Sequence, residues 1–172
     1  MTGSAKTEFT YFVETPLGTV TLAGQDRVLT GLWFVGQRND RETLDEEARE
    51  GMLPVFTDAT LWLNRYFAGK NPGTPPPVSP KGTPFRKLVW EILQTVPYGE
   101  TVSYGEIAKR MALRTGSVVS ARAVGGAVSH NPISLIIPCH RVISSDGRLT
   151  GYAAGVDRKE MLLKLEKGIR PG

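Results

Sequence analysis

The sequence predicts an α/β chain of the α+β kind: a small antiparallel sheet with one helix, followed by a mostly helical second half. Three observations predict it. Runs rich in β-branched and aromatic residues fill the chain up to Val35, proline and glycine crowd residues 68–83, and a helical apolar period begins at Phe85.

Phe9 to Glu14, Thr19 to Ala23 and Val28 to Val35 read as the strands of a meander, since branched and aromatic side chains suit a pleated, half-buried surface. Thr15-Pro16-Leu17-Gly18 and Gly24-Gln25-Asp26-Arg27 supply the turns between them. Arg38 to Glu50 is charged and reads as loop or exposed helix. Pro54 to Phe67 sets Val55, Ala59, Trp62, Leu63 and Tyr66 at helical spacing, which predicts a helix packed on the sheet. Ala68 to Thr83 contains Pro72, Pro75, Pro76, Pro77 and Pro80. Proline fixes φ and lacks an N–H, so a stiff, extended linker is expected. The expected division is a domain at 1–70, a linker at 71–83 and a second domain at 84–172.

In the second half, Phe85, Leu88, Val89, Ile92, Leu93 and Val96 form one apolar stripe that ends at Pro97-Tyr98-Gly99. Ser103-Tyr104-Gly105-Glu106 has the form of a capping box opening a helix through about Met111. After Arg114-Thr115-Gly116-Ser117 comes a third helix, Val119 to Ser129, so the pair reads as a helix-turn-helix. This third helix is poor in long side chains. Gly125 and Gly126 cost it roughly 1 kcal/mol each relative to alanine. They suggest close approach to another helix or to a duplex, with Arg122 the one long projecting group. Asn131-Pro132 ends the helix, and Ile133 to Ile137 reads as a buried extended segment. Asp146-Gly147 signals a small hairpin at Ser144 to Arg148. Asp157 to Glu160 caps a last helix that runs to Lys167 and stops at Gly168.

Charge divides as the elements do. Residues 1–80 carry 7 Lys and Arg against 10 acids, and residues 81–172 carry 14 against 7. The cationic half suggests an anionic partner, with nucleic acid the leading candidate over a merely solvated basic surface. No apolar run reaches the roughly 20 residues of a membrane span, and Met1 to Thr10 lacks the apolar core of a secretory signal. With an unpaired thiol, these features favour a reducing, cytoplasmic location.

That thiol is the single cysteine, set in Ile136-Ile137-Pro138-Cys139-His140-Arg141-Val142. One cysteine can build neither an internal disulfide nor a multi-cysteine zinc site. Pro138 suits the first position of a helix, which would put Cys139 in a first turn where free N–H groups stabilise a thiolate. The apolar run before it equally suits an inert core thiol. Adjacent helical residues point about 100° apart, so Cys139 and His140 need a bridging water to exchange a proton. His140 would then want a carboxylate on its other nitrogen. Glu166, beside Leu162, Leu163 and Leu165, offers one, although by spacing alone it is an ordinary exposed helix acid.

Pro138-Cys139-His140-Arg141-Val142 resembles the active-site signature of the O6-alkylguanine-DNA alkyltransferases, the methylated-DNA–protein-cysteine methyltransferases. The resemblance runs from about Thr83 to Gly168. It includes Pro97-Tyr98-Gly99, Val102-Ser103-Tyr104, Ala121-Arg122-Ala123-Val124-Gly125, Asn131-Pro132, Gly151-Tyr152 and the helix from Lys159 to Glu166. It implies an RNase H-like N-terminal domain and a winged helix-turn-helix-like alkyltransferase domain. The implied activity is direct-reversal repair: a guanine carrying an O6-alkyl group, with O4-alkylthymine as a second lesion, is flipped from duplex DNA and its alkyl group moved irreversibly to the cysteine.

Carried over by residue, the resemblance implies Cys139 as acceptor, with His140 and Glu166 as its relay. Tyr104 would rotate the phosphate and give a proton toward the leaving guanine, and Asn131 would brace the active-site turn. Arg122 would fill the stack, with Ser103, Ala123 and Gly125 at the DNA. Val142, Tyr152, Ala153, Ala154 and Lys159 would line the base pocket. The expected partner is double-stranded DNA approached from the minor groove, the state a monomer, and no cofactor is expected; nor is a metal, since the N-terminal cysteines that hold zinc in human-type members of the family are absent. Between Tyr104 and Arg122 the chain is longer than the family form by roughly one helical turn, and Arg114 there touches either phosphate or solvent. Three other readings stand beside this one. A non-catalytic lesion-binding relative is opposed by Cys139, a transcriptional regulator by the lack of base-reading side chains, and a Cys-His-Glu hydrolase by the adjacency of Cys139 and His140.

Overall fold

The computed structural model describes residues 6–149 and 151–168. The outer ends of the two expected domains, residues 1–5 and 169–172, lie outside the described residues, as does Thr150.

Strands β1 (Phe9–Thr15), β2 (Gly18–Gln25) and β3 (Val28–Phe34) form an antiparallel meander, and β4 (Arg49–Glu50) joins β1 in parallel, giving the order β3-β2-β1-β4. Between β3 and β4 no helix forms. Asn39 and Arg41 adopt positive φ of 61° and 58°, and left-handed residues break a right-handed helix into successive turns. Helix α1 (Pro54–Phe67) has the predicted bounds and buries Val55, Phe56, Ala59, Trp62, Leu63 and Tyr66. Fully burying a side chain of this size contributes roughly 1.5–3 kcal/mol.

The proline-rich segment is extended but docked. The Leu29 N–H donates to Pro77 O and the Ser79 N–H to Leu29 O, at 2.9 and 2.8 Å. Further along β3, the Leu32 N–H donates to Pro132 O and the Ser134 N–H to Leu32 O, at 2.8 and 2.9 Å. Two distant segments thus cover the outer edge of β3, which satisfies backbone groups an edge strand would leave open. One apolar core runs from Leu22, Leu32 and Tyr66 through Trp90, Leu93 and Ile107 to Ile137 and Leu162.

Helix α2 (Pro84–Leu93) is capped by Thr83, whose hydroxyl accepts from the Arg86 N–H. It ends three residues before Val96, which stays buried in a tighter terminal turn. Helix α3 (Tyr104–Thr115) runs four residues past Met111 and stops at left-handed Gly116. The extension carries Leu113 at 86 % exposure, so no apolar stripe announced it. Ser103 caps α3 by accepting from the Glu106 N–H at 3.0 Å, but Glu106 turns to Arg110 at 3.2 Å instead of completing a capping box. Helix α4 (Ala121–Ser129) starts two residues later than its pattern because Ser120 is the cap.

Ser144 to Arg148 closes a turn without a hairpin among the described residues. Val142–Ile143 (β6) pairs in parallel with Val102–Ser103 (β5), a distant partner that the Asp-Gly signal does not reveal. Helix α5 (Val156–Glu166) is capped by Gly155, with Asp157 in its first turn, not at the cap. No described helix is long and apolar enough to cross a membrane.

Candidate active site

The segment after α4 is not the extended run expected from its apolar composition. Leu135 has φ of 70°, and Ile137 N–H donates back to Ile133 O at 3.0 Å, so the chain folds into a tight buried turn. Asn131 braces that turn from inside. Its Nδ2 donates to Ile137 O at 2.8 Å, and its Oδ1 accepts from the Ile133 N–H at 2.9 Å. Leaving buried backbone groups unpaired costs about 1–3 kcal/mol each, so one short amide closes what the apolar side chains cannot.

Cys139, His140 and Arg141 follow as a single 3-10 turn, not the first turn of an α-helix. Three residues align too few peptide dipoles to make a helix terminus, although the Cys139 and His140 N–H groups do favour the thiolate. Burial pushes the Cys139 thiol up to about 11, outweighing the Asn131 amide and the Lys159 ammonium, which both pull it down. The resting sulfur is therefore protonated near neutrality.

An imidazole sits next in sequence. His140 is fully buried, and its Nε2 lies 2.5 Å from Glu166 Oε2. Burial holds its pKa below the ordinary imidazole value, so the ring is neutral in the resting site. An ionised carboxylate only accepts, so Nε2 carries the ring hydrogen and Nδ1 keeps the lone pair. Nδ1 is buried with no hydrogen-bond partner among the described residues.

Glu166 reaches this position because Lys159, Leu162 and Glu166 recur at i, i+3 and i+7 on the buried face of α5. Burial alone would raise its carboxyl. Hydrogen bonds from His140 and Arg141, with the Arg141 charge, prevail and hold it at about 2. Arg141 Nε donates to Oε1 at 2.8 Å, the Gly99 N–H donates to the same oxygen at 2.9 Å, and Tyr66 Oη donates to Oε2 at 2.6 Å. Arg141 also donates to Val96 O at 2.9 Å. The sequence marks Arg141 only as a neighbouring charge and Tyr66 only as a core residue. A tyrosine on an otherwise apolar buried stripe is the available signal, because its hydroxyl must find a polar partner.

The other expected residues fall into two groups. Val142, Tyr152 and Lys159 are buried beside the turn, Lys159 Nζ donates to Val142 O, and the Tyr152 and His140 rings meet edge-on at 6.4 Å. Lys159 is pulled down to about 8, mainly by burial. Ala153 O accepts from the Arg38 N–H at 2.9 Å and Ala154 O from Arg158 at 3.2 Å, so both parts of the chain hold this loop.

Tyr104, Ser103, Arg122, Ala123 and Gly125 instead lie on or near α3 and α4, none of them buried. The β5–β6 pairing brings Ser103 and Tyr104 beside the cysteine segment, and a Cβ at Gly151 would stand 3.5 Å from the Tyr104 hydroxyl. Ser103 Oγ and the Ala123 N–H are both engaged in helix caps, so each offers a partner less than its sequence suggests. Arg114 meets Glu91 at 3.3 Å on the surface. Among the described residues no tight packing requires the glycines of α4. A Cβ at Gly126 would meet nothing within 4 Å, and one at Gly125 would touch only the Tyr104 ring at 3.9 Å.

Comparison with known proteins finds relatives over most of the chain. Residues 84–168 match the family described as 6-O-methylguanine DNA methyltransferase, DNA binding domain, and residues 9–74 its ribonuclease-like domain. A methylated-DNA–protein-cysteine methyltransferase of Mycolicibacterium paratuberculosis is 45% identical over 162 residues, 92% of each chain. One from Methanosarcina acetivorans is 44% identical over 153 residues, covering 89% of this chain and 94% of its own. The crystal structure of Mycobacterium tuberculosis OGT in complex with DNA superposes with a TM-score of 0.82 at 43% identity, over 96% of this chain and 95% of that one.

Proposed function

Since the chain belongs to the 6-O-methylguanine DNA methyltransferase family, and so to direct-reversal DNA repair, we propose that it carries out this repair through Cys139 as a single-use alkyl acceptor. The observation that carries this assignment is the His140 ring, fastened at Nε2 to Glu166 with its Nδ1 lone pair unpaired among the described residues, one residue from the single thiol.

The chemistry follows from these groups. A water between Sγ and Nδ1 passes the Cys139 proton to His140, and the Glu166 carboxylate stabilises the imidazolium that forms. The sulfur attacks the alkyl carbon, an S–C bond forms, and the C–O6 bond breaks with its electron pair going to guanine. Tyr104 gives a proton to that base and recovers one from His140 through solvent, so the proton lost by sulfur is matched by the one guanine gains. A thioether is a poor leaving group, so nothing restores the thiol. Val142, Tyr152, Ala153, Ala154 and Lys159 line the pocket for the flipped base, and Asn131 holds the turn.

The partner is DNA. We read its approach as minor-groove, because α4 presents Ala121, Ala123 and Gly126 as an exposed surface of small residues from which Arg122 projects. Flipping a base costs a few kcal/mol, least for a damaged pair, and Arg122 entering the stack offsets part of it. A non-catalytic lesion-binding role is not favoured, since the thiol and its relay are all present.

The test is stoichiometry. With excess O6-methylguanine duplex, repair is expected to stop at one equivalent, with one methylene added to the Cys139 peptide by mass spectrometry. Continued turnover would overturn the suicide mechanism. Arg122→Ala is expected to slow repair of duplex about 10- to 100-fold, the scale of a partly lost flipping interaction. Its reaction with free O6-methylguanine base should be unchanged, and an equal loss there would make Arg122 structural.

A further inference from the structure

We propose that Tyr66, supplied by α1 of the ribonuclease-like part, is a positioning residue of the alkyl-transfer relay. Its hydroxyl hydrogen holds Glu166 Oε2 against His140 and keeps the imidazole hydrogen on Nε2. This rests on the Cys139–His140–Glu166 reading, and it gives the N-terminal part a share in the chemistry.

The geometry is specific. Tyr66 is wholly buried, and its hydroxyl lies 2.6 Å from Glu166 Oε2, the same oxygen that meets His140 Nε2 at 2.5 Å. The hydroxyl stands 3.4 Å from Nε2, and the phenol and imidazole rings meet edge-on at 6.3 Å. Burial and the Glu166 charge push the phenol far above its ordinary value, so it stays protonated. An ionised Glu166 can only accept, so the single hydroxyl hydrogen points at it. Oε1 is already held by Arg141 and the Gly99 N–H. Tyr66 therefore completes the set, leaving the carboxylate no free rotation and His140 one acceptor for Nε2–H.

The hydroxyl also tunes the relay. By drawing charge from Oε2 it weakens the carboxylate's pull on an imidazolium, so His140 stays neutral and ready to accept at lower pH. The other groups facing this pair are Arg141 and Cys139 on the 3-10 turn, Lys159 on α5, Tyr98 after α2 and Tyr152 in the loop before α5. None of them donates to Oε2 among the described hydrogen bonds.

The experiment measures, on the full chain, the second-order rate constant of methyl transfer from O6-methylguanine duplex against pH, with the active fraction and thermal midpoint. Three proteins are compared with the natural one: Tyr66→Phe, Glu166→Gln, and a chain carrying 3-fluorotyrosine at position 66. Tyr66→Phe is expected to keep one acceptor equivalent per folded molecule, to react about tenfold more slowly, and to lose rate at higher pH as acid is added. The fluorinated phenol is a stronger donor, so its acid limb should move the opposite way.

A Tyr66→Phe protein that loses only active fraction or thermal midpoint, with rate constant and acid limb in place, would make Tyr66 structural and overturn the proposal. If Glu166→Gln is slowed while Tyr66→Phe is not, the relay stands and the Tyr66 role falls. If neither is slowed, the relay reading itself falls. Should Tyr66→Phe fail to fold, an acid limb that the fluorotyrosine leaves unmoved would overturn the proposal.

Discussion

Cys139→Ser is expected to bind methylated duplex as the natural chain does and to take no methyl group, a loss of at least about 10⁴-fold in transfer. The substitution keeps the small side chain on its 3-10 turn, and the bonds of Asn131 to Ile137 and Ile133 and of Glu166 to Tyr66 do not involve the sulfur. What changes is acidity. A thiol at about 11 lies within reach of a neutral imidazole assisted by Glu166, whereas an alcohol does not. Peptide mass spectrometry after incubation with methylated duplex checks this. A methyl group on the substituted position would sink the assignment of the acceptor.

Glu166→Ala is expected to be the most destabilising single change at the site. It would leave Arg141 and His140 buried beside each other without their carboxylate, and breaking a buried pair in this way costs about 3–5 kcal/mol. For a chain of this size that lowers the thermal midpoint by roughly 10 °C. The pH dependence identifies the cause. Glu166 stays ionised in the folded protein to about pH 2, whereas an unfolded glutamate takes its proton near 4.3. Its contribution, about 3 kcal/mol, is thus complete above the unfolded value and is lost as pH falls through the folded one. His140 acts in the same direction at higher pH. Held neutral when folded, it is protonated in the unfolded chain below about 6.5, so acidification favours unfolding there too. Thermal melts from pH 7 to pH 2 should show the natural chain and Glu166→Ala converging as acid is added. Parallel curves would show that Glu166 is not ionised in the folded protein.

Much of the fold was legible in local pattern. Helix α1 came from five apolar residues at one spacing, and the meander from β-branched runs between turn residues. The errors fall where local pattern competes with a distant partner or carries no apolar contrast. Val142 pairs with Val102 in place of a local hairpin, the exposed end of α3 has no stripe, and positive φ at Leu135 is unmarked by a glycine.

The sequence by itself determined which residues could do chemistry: one thiol with a histidine and an arginine beside it, and a side-chain-poor helix in a basic half. Only the tertiary structure decided how they are used. It withheld an α-helical terminus from Cys139, turned Glu166 from an apparent surface acid into the buried anchor of His140 and Arg141, and brought Tyr66 to it across 100 residues. The reason is physical. A residue's type limits the protons it can give or take, but desolvation and the partners a fold brings within 3 Å determine when it does so.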